Sequence, residues 1–219
     1  ENMIKNRICI VDYSMGNLMS VKRSFEALGF ETMTSSDPNQ IKNSSVLILP
    51  GVGAFKKAMF ELKSRNLINP IKKSVENGTK ILGICLGMQL LFEKSYEFGI
   101  TDGLGLIPGE VIPIPKKSNY NEMIKIPHIG WNSIKLHETG NKINNLLFKS
   151  IKSDSEFYFI HSYMVEPSKY TAASCTYEGI PISALVTNDN VIGCQFHPEK
   201  SGHLGLKVIQ NFLDICFSN

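Results

Sequence analysis

Two kinds of hydrophobic pattern alternate along the first half of the chain. Short apolar runs without polar alternation, typical of strands buried on both faces, occupy Ile8–Val11, Val46–Leu49 and Lys80–Ile84. Apolar residues at helical spacing occupy residues 18–28, 54–77 and 86–93. This alternation of strands and helices predicts an α/β fold with a mostly parallel central sheet flanked by helices.

The second half of the chain predicts strands in closer succession. Strand-like runs separated by turn residues occupy residues 106–115, 157–165, 170–177, 182–187 and 191–196, and a final helix is predicted over residues 204–217. We expect these strands to extend the central sheet in antiparallel fashion. Because no repeat, low-complexity tract or linker divides the chain, residues 1–219 are predicted to form one domain. Glu1 and Asn2, which precede Met3, are interpreted as a remnant of expression.

Composition and charge exclude several classes of protein. The chain has 219 residues, of which 42% are hydrophobic, and this is enough for one large core. Its net charge of +3 and the absence of a dense lysine–arginine cluster argue against a nucleic-acid partner. The longest apolar run, residues 81–88, is far shorter than the roughly 20 residues that cross a membrane. The N-terminus also lacks the pattern of a signal peptide.

Five widely spaced cysteines stand at positions 9, 85, 175, 194 and 216. No CxxC pair is present, so the sequence predicts neither a zinc ribbon nor a redox motif, and no metal or other cofactor. Cys9, Cys175, Cys194 and Cys216 are interpreted as small buried hydrophobes, and the pattern is typical of a reducing cytoplasm. Cys85 lies in a different context.

Residues 83–89, GICLGMQ, lie between a predicted strand and a predicted helix. The form G-x-nucleophile-x-G at such a junction is that of a nucleophile elbow, in which two glycines allow a tight reversal around the nucleophile. The amide dipoles at a helix N-terminus favour the thiolate form of Cys85. The alternative is a buried core cysteine whose flanking glycines only pack.

A cysteine nucleophile needs a base, and the base needs a group that orients it. Residues 196–199, FHPE, directly follow a predicted strand and would lie at the same sheet edge as Cys85. His197 is therefore the candidate base and Glu199 its candidate partner. The alternative is a solvated surface turn. The rival bases are His128, His137, His161 and His203.

Residues 50–53, PGVG, follow the predicted strand at Val46–Leu49. A turn with two glycines can present backbone N–H groups to a developing oxyanion, with the N–H of Leu86 as the second donor. The alternative is a strand-to-helix turn that binds nothing.

The elbow, the PGVG turn and the FHPE tetrapeptide together resemble the class I (triad-type) glutamine amidotransferases, over nearly the whole chain. Within this class, the chain is most similar to the glutaminase subunits of imidazole glycerol phosphate synthases. The segments that carry this similarity are residues 12–18 (DYSMGNL), 127–132 (PHIGWN), 161–163 (HSY) and 197–201 (HPEKS), together with Met88 before Gln89. One departure is Ser14, where the family usually has glycine.

The resemblance implies a Cys–His–Glu triad. Cys85 would attack the side-chain amide of glutamine, His197 would transfer the proton, and Glu199 would orient His197. Oxyanion donors would come from Val52 or Gly53 together with Leu86. The residues implied in glutamine binding are Gly51, Gln89, Glu97, His161, Ser162 and Tyr163. A carboxylate at Glu97 suits the substrate ammonium, and its alternative is a solvated charge.

The resemblance also implies a partner. A (β/α)8 barrel needs about 250 residues, and the predicted elements already use nearly all of this chain. The cyclase would therefore be a separate barrel subunit that forms a heterodimer with this chain and uses its ammonia in histidine biosynthesis. Trp131 and Lys200 are the expected interface residues, and the alternatives are a core tryptophan and a solvated lysine.

Other functions remain open at this point. A paralogous glutaminase that supplies ammonia for amidino-sugar synthesis on surface polysaccharides would carry nearly the same motifs. A stand-alone γ-glutamyl thiol hydrolase would need no partner. A non-catalytic binding module would have no use for the intact set of Cys85, His197 and Glu199. The glutaminases of anthranilate and guanylate synthesis generally carry His, rather than Met, before the elbow glutamine.

Overall fold

The strands and helices come from a computed structural model that describes residues 7–118, 121–137 and 141–217. Glu1, Asn2 and Met3 lie outside the described residues. The strands, in chain order, are β1 (Ile8–Val11), β2 (Thr32–Ser35), β3 (Val46–Leu49), β4 (Lys80–Ile84), β5 (Phe92–Ser95), β6 (Thr101–Asp102), β7 (Ile107–Pro113), β8 (His128–Ser133), β9 (Lys135–Leu136), β10 (Glu156–His161), β11 (Tyr163–Met164), β12 (Thr171–Tyr177), β13 (Ile180–Asn188) and β14 (Val191–Cys194). The helices are α1 (Leu18–Glu26), α2 (Pro38–Lys42), α3 (Phe55–Ser64), α4 (Ile68–Glu76), α5 (Leu86–Leu90), α6 (Lys142–Leu147) and α7 (Gly202–Phe217).

The central sheet has eight strands in the order β2-β1-β3-β4-β14-β13-β12-β9. The first five strands are parallel, and the last three are joined to them in antiparallel fashion. The predicted α/β class and the predicted bounds of β1, β3 and β4 are confirmed. Their apolar runs lack alternation because both faces are covered. In β1, Ile8 and Ile10 pack into one apolar cluster, whereas Cys9 and Val11 pack into the other.

Two smaller sheets hold strands that the sequence pattern predicts in the central sheet. One pairs β10 with β8 in antiparallel fashion, and the other has the order β11-β7-β5-β6. The prediction that residues 106–115 and 157–165 extend the central sheet is therefore wrong. In β10, Phe157 and Phe159 instead turn inward onto Phe196, with ring centroids 4.3 and 5.8 Å from it.

The helix predicted over residues 86–93 ends early, at Leu90. The carbonyl group of Leu90 accepts a hydrogen bond from Leu104 N at 2.8 Å, and that of Leu91 accepts from Leu106 N at 2.8 Å. These distant partners replace the helical ones, and the chain continues as β5, which pairs with β7. The error arises because a local apolar pattern contains no information about a partner strand that follows later in the chain.

Ser14 keeps the conformation that a glycine would adopt at its position. Its φ is 65°, in the left-handed region. Its N–H donates to Asp12 Oδ1 at 3.1 Å, and Arg65 Nη2 donates to its hydroxyl at 2.7 Å. These two hydrogen bonds offset the strain, so the first loop tolerates serine.

The topology brings three loop segments to one edge of the central sheet. Because β3, β4 and β14 are parallel neighbours, the residues that follow them meet at their carboxyl ends. These residues are the PGVG turn, Cys85 and the FHPE tetrapeptide. This is the edge at which open α/β sheets bind ligands. In the described ranges, no helix combines the length and apolarity needed to span a membrane.

Candidate active site

The predicted elbow is present between β4 and α5. Cys85 has φ 54° and ψ −111°, a conformation that is strained for a residue that carries a Cβ, and the residue is buried. The flanking glycines allow close approach of backbones. A Cβ on Gly87 would overlap the carbonyl oxygen of Leu49, and one on Gly83 would lie 2.6 Å from Gly87 O. Glycine is therefore needed at both positions for close packing around the nucleophile candidate.

One cavity of about 290 Å³ opens at this elbow. Its volume lies at the small end of the range for ligand pockets. The predicted site residues that line it are Val52, Gly53, Cys85, Leu86, Gln89, Glu97, His161, Ser162, Tyr163 and His197. Pro127 and Ile160 complete the lining, and the sequence analysis did not select them. Glu199 lies behind His197, and Gly51, Trp131 and Lys200 do not line the cavity.

His197 and Glu199 form a buried hydrogen-bonded pair. His197 Nδ1 lies 2.7 Å from Glu199 Oε1, and both side chains are only 3% exposed. The alternative of a solvated surface turn is therefore wrong. Burial alone would lower the pKa of His197, but its contacts with Cys85 and Glu199 outweigh burial and raise that pKa to about 10. His197 Nε2 is buried with no hydrogen-bond partner among the described residues, and it belongs to the ring that borders the cavity beside Cys85.

Gly51 lies behind the cavity wall, although it was predicted to contact the substrate. A Cβ at this position would clash with the hydroxyl of Tyr13 and approach Leu86 Cβ to 3.0 Å. The Tyr13 hydroxyl is itself bonded to the carbonyl of Pro50, so this buried tyrosine anchors the start of the turn. Gly53, at φ 106°, adopts a conformation that favours glycine and reaches the cavity.

Glu97 is a buried carboxylate at the cavity, so the alternative of a solvated charge is wrong. Its Oε2 accepts a hydrogen bond of 2.7 Å from Phe55 N, the first residue of α3. Ala54, the residue before α3, offers no side-chain cap, so Glu97 takes that role from a distant segment. Burial raises the pKa of Glu97, and the Phe55 hydrogen bond opposes this only in part. A cationic ligand group beside Glu97 would favour its ionised form.

The rings of His128 and His161 form a directed hydrogen-bonded chain. His161 Nδ1 lies 2.8 Å from the carbonyl of Tyr163, which can only accept, so Nδ1 donates. Burial lowers the pKa of His161 to about 3 and that of His128 to about 4, so both rings are neutral at pH 7. His161 Nε2 must then accept, at 2.9 Å, from His128 Nδ1. His128 Nε2 in turn accepts from Asn132 Nδ2 at 3.3 Å.

These hydrogen bonds exclude His128 and His161 as rival catalytic bases. Both nitrogens of His161 are occupied, so the ring contributes a wall to the cavity and has no free nitrogen for a ligand. His137 lies elsewhere, with its Nε2 2.8 Å from Ser174 Oγ, and His203 is exposed at the start of α7. His197 is thus the histidine in the cavity whose outer nitrogen has no partner within the described residues.

Gln195 also belongs to the site, although it is not among the residues predicted from the sequence. This residue is fully buried, and its Nε2 lies 3.7 Å from Cys85 Sγ. Its Oε1 lies 3.1 Å from Gln89 Nε2, which also reaches the carbonyl of Tyr163 at 3.1 Å. The sequence does contain a signal for Gln195. Side chains two positions apart on an extended chain point to the same side, so Gln195 could be predicted to lie on the same side as His197.

An exposed apolar face adjoins the cavity on the outer side of β8 and β10. Ile129 and Trp131 are each 54% exposed, and Ile160 is 38% exposed. Tyr158 lies opposite Trp131 in register, with ring centroids 6.1 Å apart, and Lys200 Nζ lies 6.0 Å from the Tyr158 ring centroid. The core alternative for Trp131 is therefore wrong. We call this surface, Ile129, Trp131, Tyr158, Ile160 and Lys200, the β8–β10 face.

The remaining cysteines are free thiols, and Cys9, Cys175 and Cys194 are buried as predicted, whereas Cys216 is only half-buried, near the end of α7. Burial raises the pKa of Cys9 to about 11 and those of Cys175 and Cys216 to about 12, while burial also raises that of Cys194. They are therefore protonated at neutral pH. No group of three or more metal-ligating side chains occurs within residues 7–118, 121–137 and 141–217.

Known proteins share this architecture and sequence. Among solved structures, one described as a glutamine amidotransferase superposes with TM-score 0.69 at 16% identity, covering 95% of this chain and 98% of the other. PurLQS from Thermotoga maritima superposes with TM-score 0.68 at 22% identity, covering 96% of this chain and 99% of the matched chain. The family model "Glutamine amidotransferase class-I" matches residues 9–216. The chain therefore belongs to the class I glutamine amidotransferases, as the motifs predict.

Curated relatives narrow this assignment. The imidazole glycerol phosphate synthase subunit HisH 1 of Legionella pneumophila (strain Lens) is 45% identical over 210 residues, covering 95% of this chain and 99% of the relative. The HisH subunit of Lactococcus lactis subsp. lactis (strain IL1403) is 49% identical over 209 residues, covering 95% and 98%. Within the class, the chain belongs to the HisH subunit family.

Proposed function

We propose that this chain is the glutaminase subunit of an imidazole glycerol phosphate synthase. It hydrolyses glutamine to glutamate and ammonia and passes the ammonia to a separate cyclase subunit in histidine biosynthesis, in the reducing cytoplasm. The observation that carries the proposal is the meeting of Cys85 and His197 in one cavity, at the ends of adjacent parallel strands, with Glu199 bonded behind His197. Nearly full-length identity to HisH subunits supports the pathway.

In the proposed first step, the thiolate of Cys85 attacks the side-chain carbonyl carbon of glutamine. The raised pKa of His197 keeps its ring protonated beside the sulfur, and Glu199 accepts a hydrogen bond from Nδ1–H so that Nε2 faces the reaction. Backbone N–H groups of Leu86 and of Val52 or Gly53 stabilise the oxyanion. The carbon–nitrogen bond breaks, His197 gives its proton to the leaving ammonia, and a glutamyl thioester remains on Cys85.

In the second step, His197 removes a proton from water, and the water oxygen attacks the thioester carbon. The carbon–sulfur bond breaks, glutamate leaves, and the thiolate returns with His197 protonated. The amino-acid end of glutamine binds beyond the sulfur, against Gln89, Glu97, Ser162 and Tyr163. The buried carboxylate of Glu97 pairs with the substrate ammonium, and backbone N–H groups of Ser162 and Tyr163 receive the substrate carboxylate.

The need for a partner subunit follows from the chemistry of the released ammonia. In bulk water at neutral pH, ammonia is mostly protonated and no longer nucleophilic, so transfer requires a covered passage to the acceptor. We propose that a cyclase with a (β/α)8 barrel docks on the β8–β10 face, forming a heterodimer. Ile160 belongs both to this face and to the cavity lining, so a partner there would also cover the site.

Partner stimulation tests this proposal. Glutamate release by the purified chain is expected to rise strongly when the histidine-pathway cyclase subunit and its nucleotide ligand are added, because docking completes the site and excludes water. An enzyme-coupled glutamate assay measures this. If the cyclase gives no stimulation while a glutamine-analogue alkylator still labels Cys85, the pathway assignment is wrong and the amidino-sugar synthase becomes the partner to test. Strong release that no partner alters would instead indicate a stand-alone hydrolase.

Replacing Trp131 tests the docking surface. Trp131→Ala is expected to weaken cyclase binding roughly tenfold or more, because an exposed tryptophan beside a tyrosine is typical of an energetic anchor. Isothermal titration measures the dissociation constant. Phe60→Ala, which removes another exposed aromatic ring on α3, is the control. Equal affinity for wild-type and Trp131→Ala chains would rule out this face.

A further inference from the structure

Gln195 contacts two residues of the site, yet the proposed attack and hydrolysis steps give it no role. It lies between β14 and His197 and is completely buried. Its side-chain amide touches the nucleophile candidate on one side and a cavity-lining amide on the other: Nε2 is 3.7 Å from Cys85 Sγ, and Oε1 is 3.1 Å from Gln89 Nε2. A buried amide with polar partners on both sides holds a single orientation.

The direction of these hydrogen bonds is fixed by a backbone carbonyl. Tyr163 O can only accept, so the Gln89 atom that lies 3.1 Å from it is the donor Nε2. The same Nε2 faces Gln195, so Gln195 must present its acceptor Oε1 there. The donor Nε2 of Gln195 is then left to point at Cys85 Sγ. Tyr163 O also accepts a hydrogen bond from His161 Nδ1 at 2.8 Å. This second hydrogen bond holds the carbonyl in the position from which the directions of the other two hydrogen bonds follow.

We propose that Gln195 is a positioning residue for the glutaminase reaction: it donates a hydrogen bond to the sulfur of Cys85 while its carbonyl holds Gln89. This inference rests on the proposed glutaminase function and deepens it. An N–H donor to a thiolate is a charge-assisted hydrogen bond, stronger than one to a neutral thiol. Gln195 therefore favours the reactive form of Cys85 and keeps the sulfur at a fixed distance from the substrate-facing amide.

Gln195→Glu separates the two contacts. The carboxylate still accepts from Gln89 Nε2, but when ionised it cannot donate to the thiolate and instead repels it. We expect kcat for glutamate release to fall roughly 10- to 100-fold while KM stays within about threefold, because a hydrogen bond to a charged group is lost and the Gln89 contact remains. Alkylation of Cys85 by iodoacetamide at pH 7, followed by peptide mapping, is expected to slow about tenfold.

A second variant and a control complete the test. Gln195→Met keeps the length and volume of the side chain without its polar atoms, so it is expected to lower kcat and also raise KM. Asn211→Asp is the matched control, since Asn211 is a buried amide that donates to the carbonyls of Leu147 and Lys149 outside the site. It is expected to lower thermal stability and leave the Cys85 alkylation rate unchanged.

The outcomes are distinct. If either folded Gln195 variant alkylates and turns over glutamine within twofold of wild type, the positioning role is wrong. If the wild-type chain releases no glutamate with any partner, while Gln195→Glu still slows alkylation of Cys85, the proposed function fails and the contact with the sulfur stands.

Discussion

Glutamate release is expected to fall by roughly 10⁴- to 10⁶-fold, to near the uncatalysed rate, when Cys85 is replaced by alanine. The reason is that no other thiol can take its place. Among the described residues, Cys85 is the cysteine that lines the cavity, while Cys194 on the neighbouring strand is fully buried with its sulfur near Gly83 O. Steady-state assay of the cyclase complex measures the loss.

The matched control is Cys175→Ala. Cys175 is equally buried but lies on β12, away from the cavity. Its loss costs about 1 kcal/mol of folding free energy, as expected for a small buried side chain, and leaves turnover unchanged. If Cys85→Ala kept more than a tenth of wild-type turnover, Cys85 would not be the nucleophile.

The second large effect is expected for Glu199→Gln. The Glu199 carboxylate accepts a hydrogen bond from His197 Nδ1–H at 2.7 Å, whereas the amide N–H of a glutamine can donate a hydrogen bond to Nδ1 and stabilise the wrong tautomer. The substitution also removes the charge that stabilises the imidazolium. We expect kcat to fall roughly 10³- to 10⁴-fold with little change in KM.

This variant also makes a prediction about pH. In the wild-type chain, the pKa of His197 is raised from 6.5 to about 10, so the stabilisation from its protonated ring is complete below pH 6.5 and is lost as the pH rises through 10. Glu199→Gln is expected to lower that pKa, so the ring titrates at lower pH in an NMR titration of its Cε1 proton. Glu61→Gln, at a half-buried ion pair with Arg65, is the control. Unchanged turnover and an unchanged His197 titration would contradict the orienting role of Glu199.

The strands whose bounds depend only on the local sequence could be predicted. The bounds of β3 and β4 follow from buried apolar runs that end at Pro50 and at the elbow. By contrast, the end of α5 at Leu90 depends on a hydrogen bond from Leu104, and β8 depends on pairing with β10 some 25 residues later. Such distant pairing leaves no local pattern, which is why both were missed.

The candidate site followed the same rule. Cys85 and His197 could be predicted because Cys85 directly follows β4 and His197 lies shortly after β14, and the ends of these parallel strands are placed by topology. The burial of Glu97, by contrast, depends on its hydrogen bond to the start of α3, 42 positions earlier in the chain. Gln195 was missed because an amide between a strand and a histidine has no distinctive chemistry until its neighbours are known.

The series of hydrogen bonds through His128 and His161 bears on proton transfer through the protein. These hydrogen bonds connect Asn132 on β8 with the Tyr163 carbonyl at the cavity. Both rings are neutral, and the two ends of the chain are an amide and a peptide carbonyl, which neither supply nor take up a proton at neutral pH. This hydrogen-bonded chain therefore does not conduct protons, although it contains two histidines. In the proposed mechanism, the proton taken from the thiol would therefore stay on His197 until the departing ammonia takes it up, and it would not reach the surface on which the partner is proposed to sit.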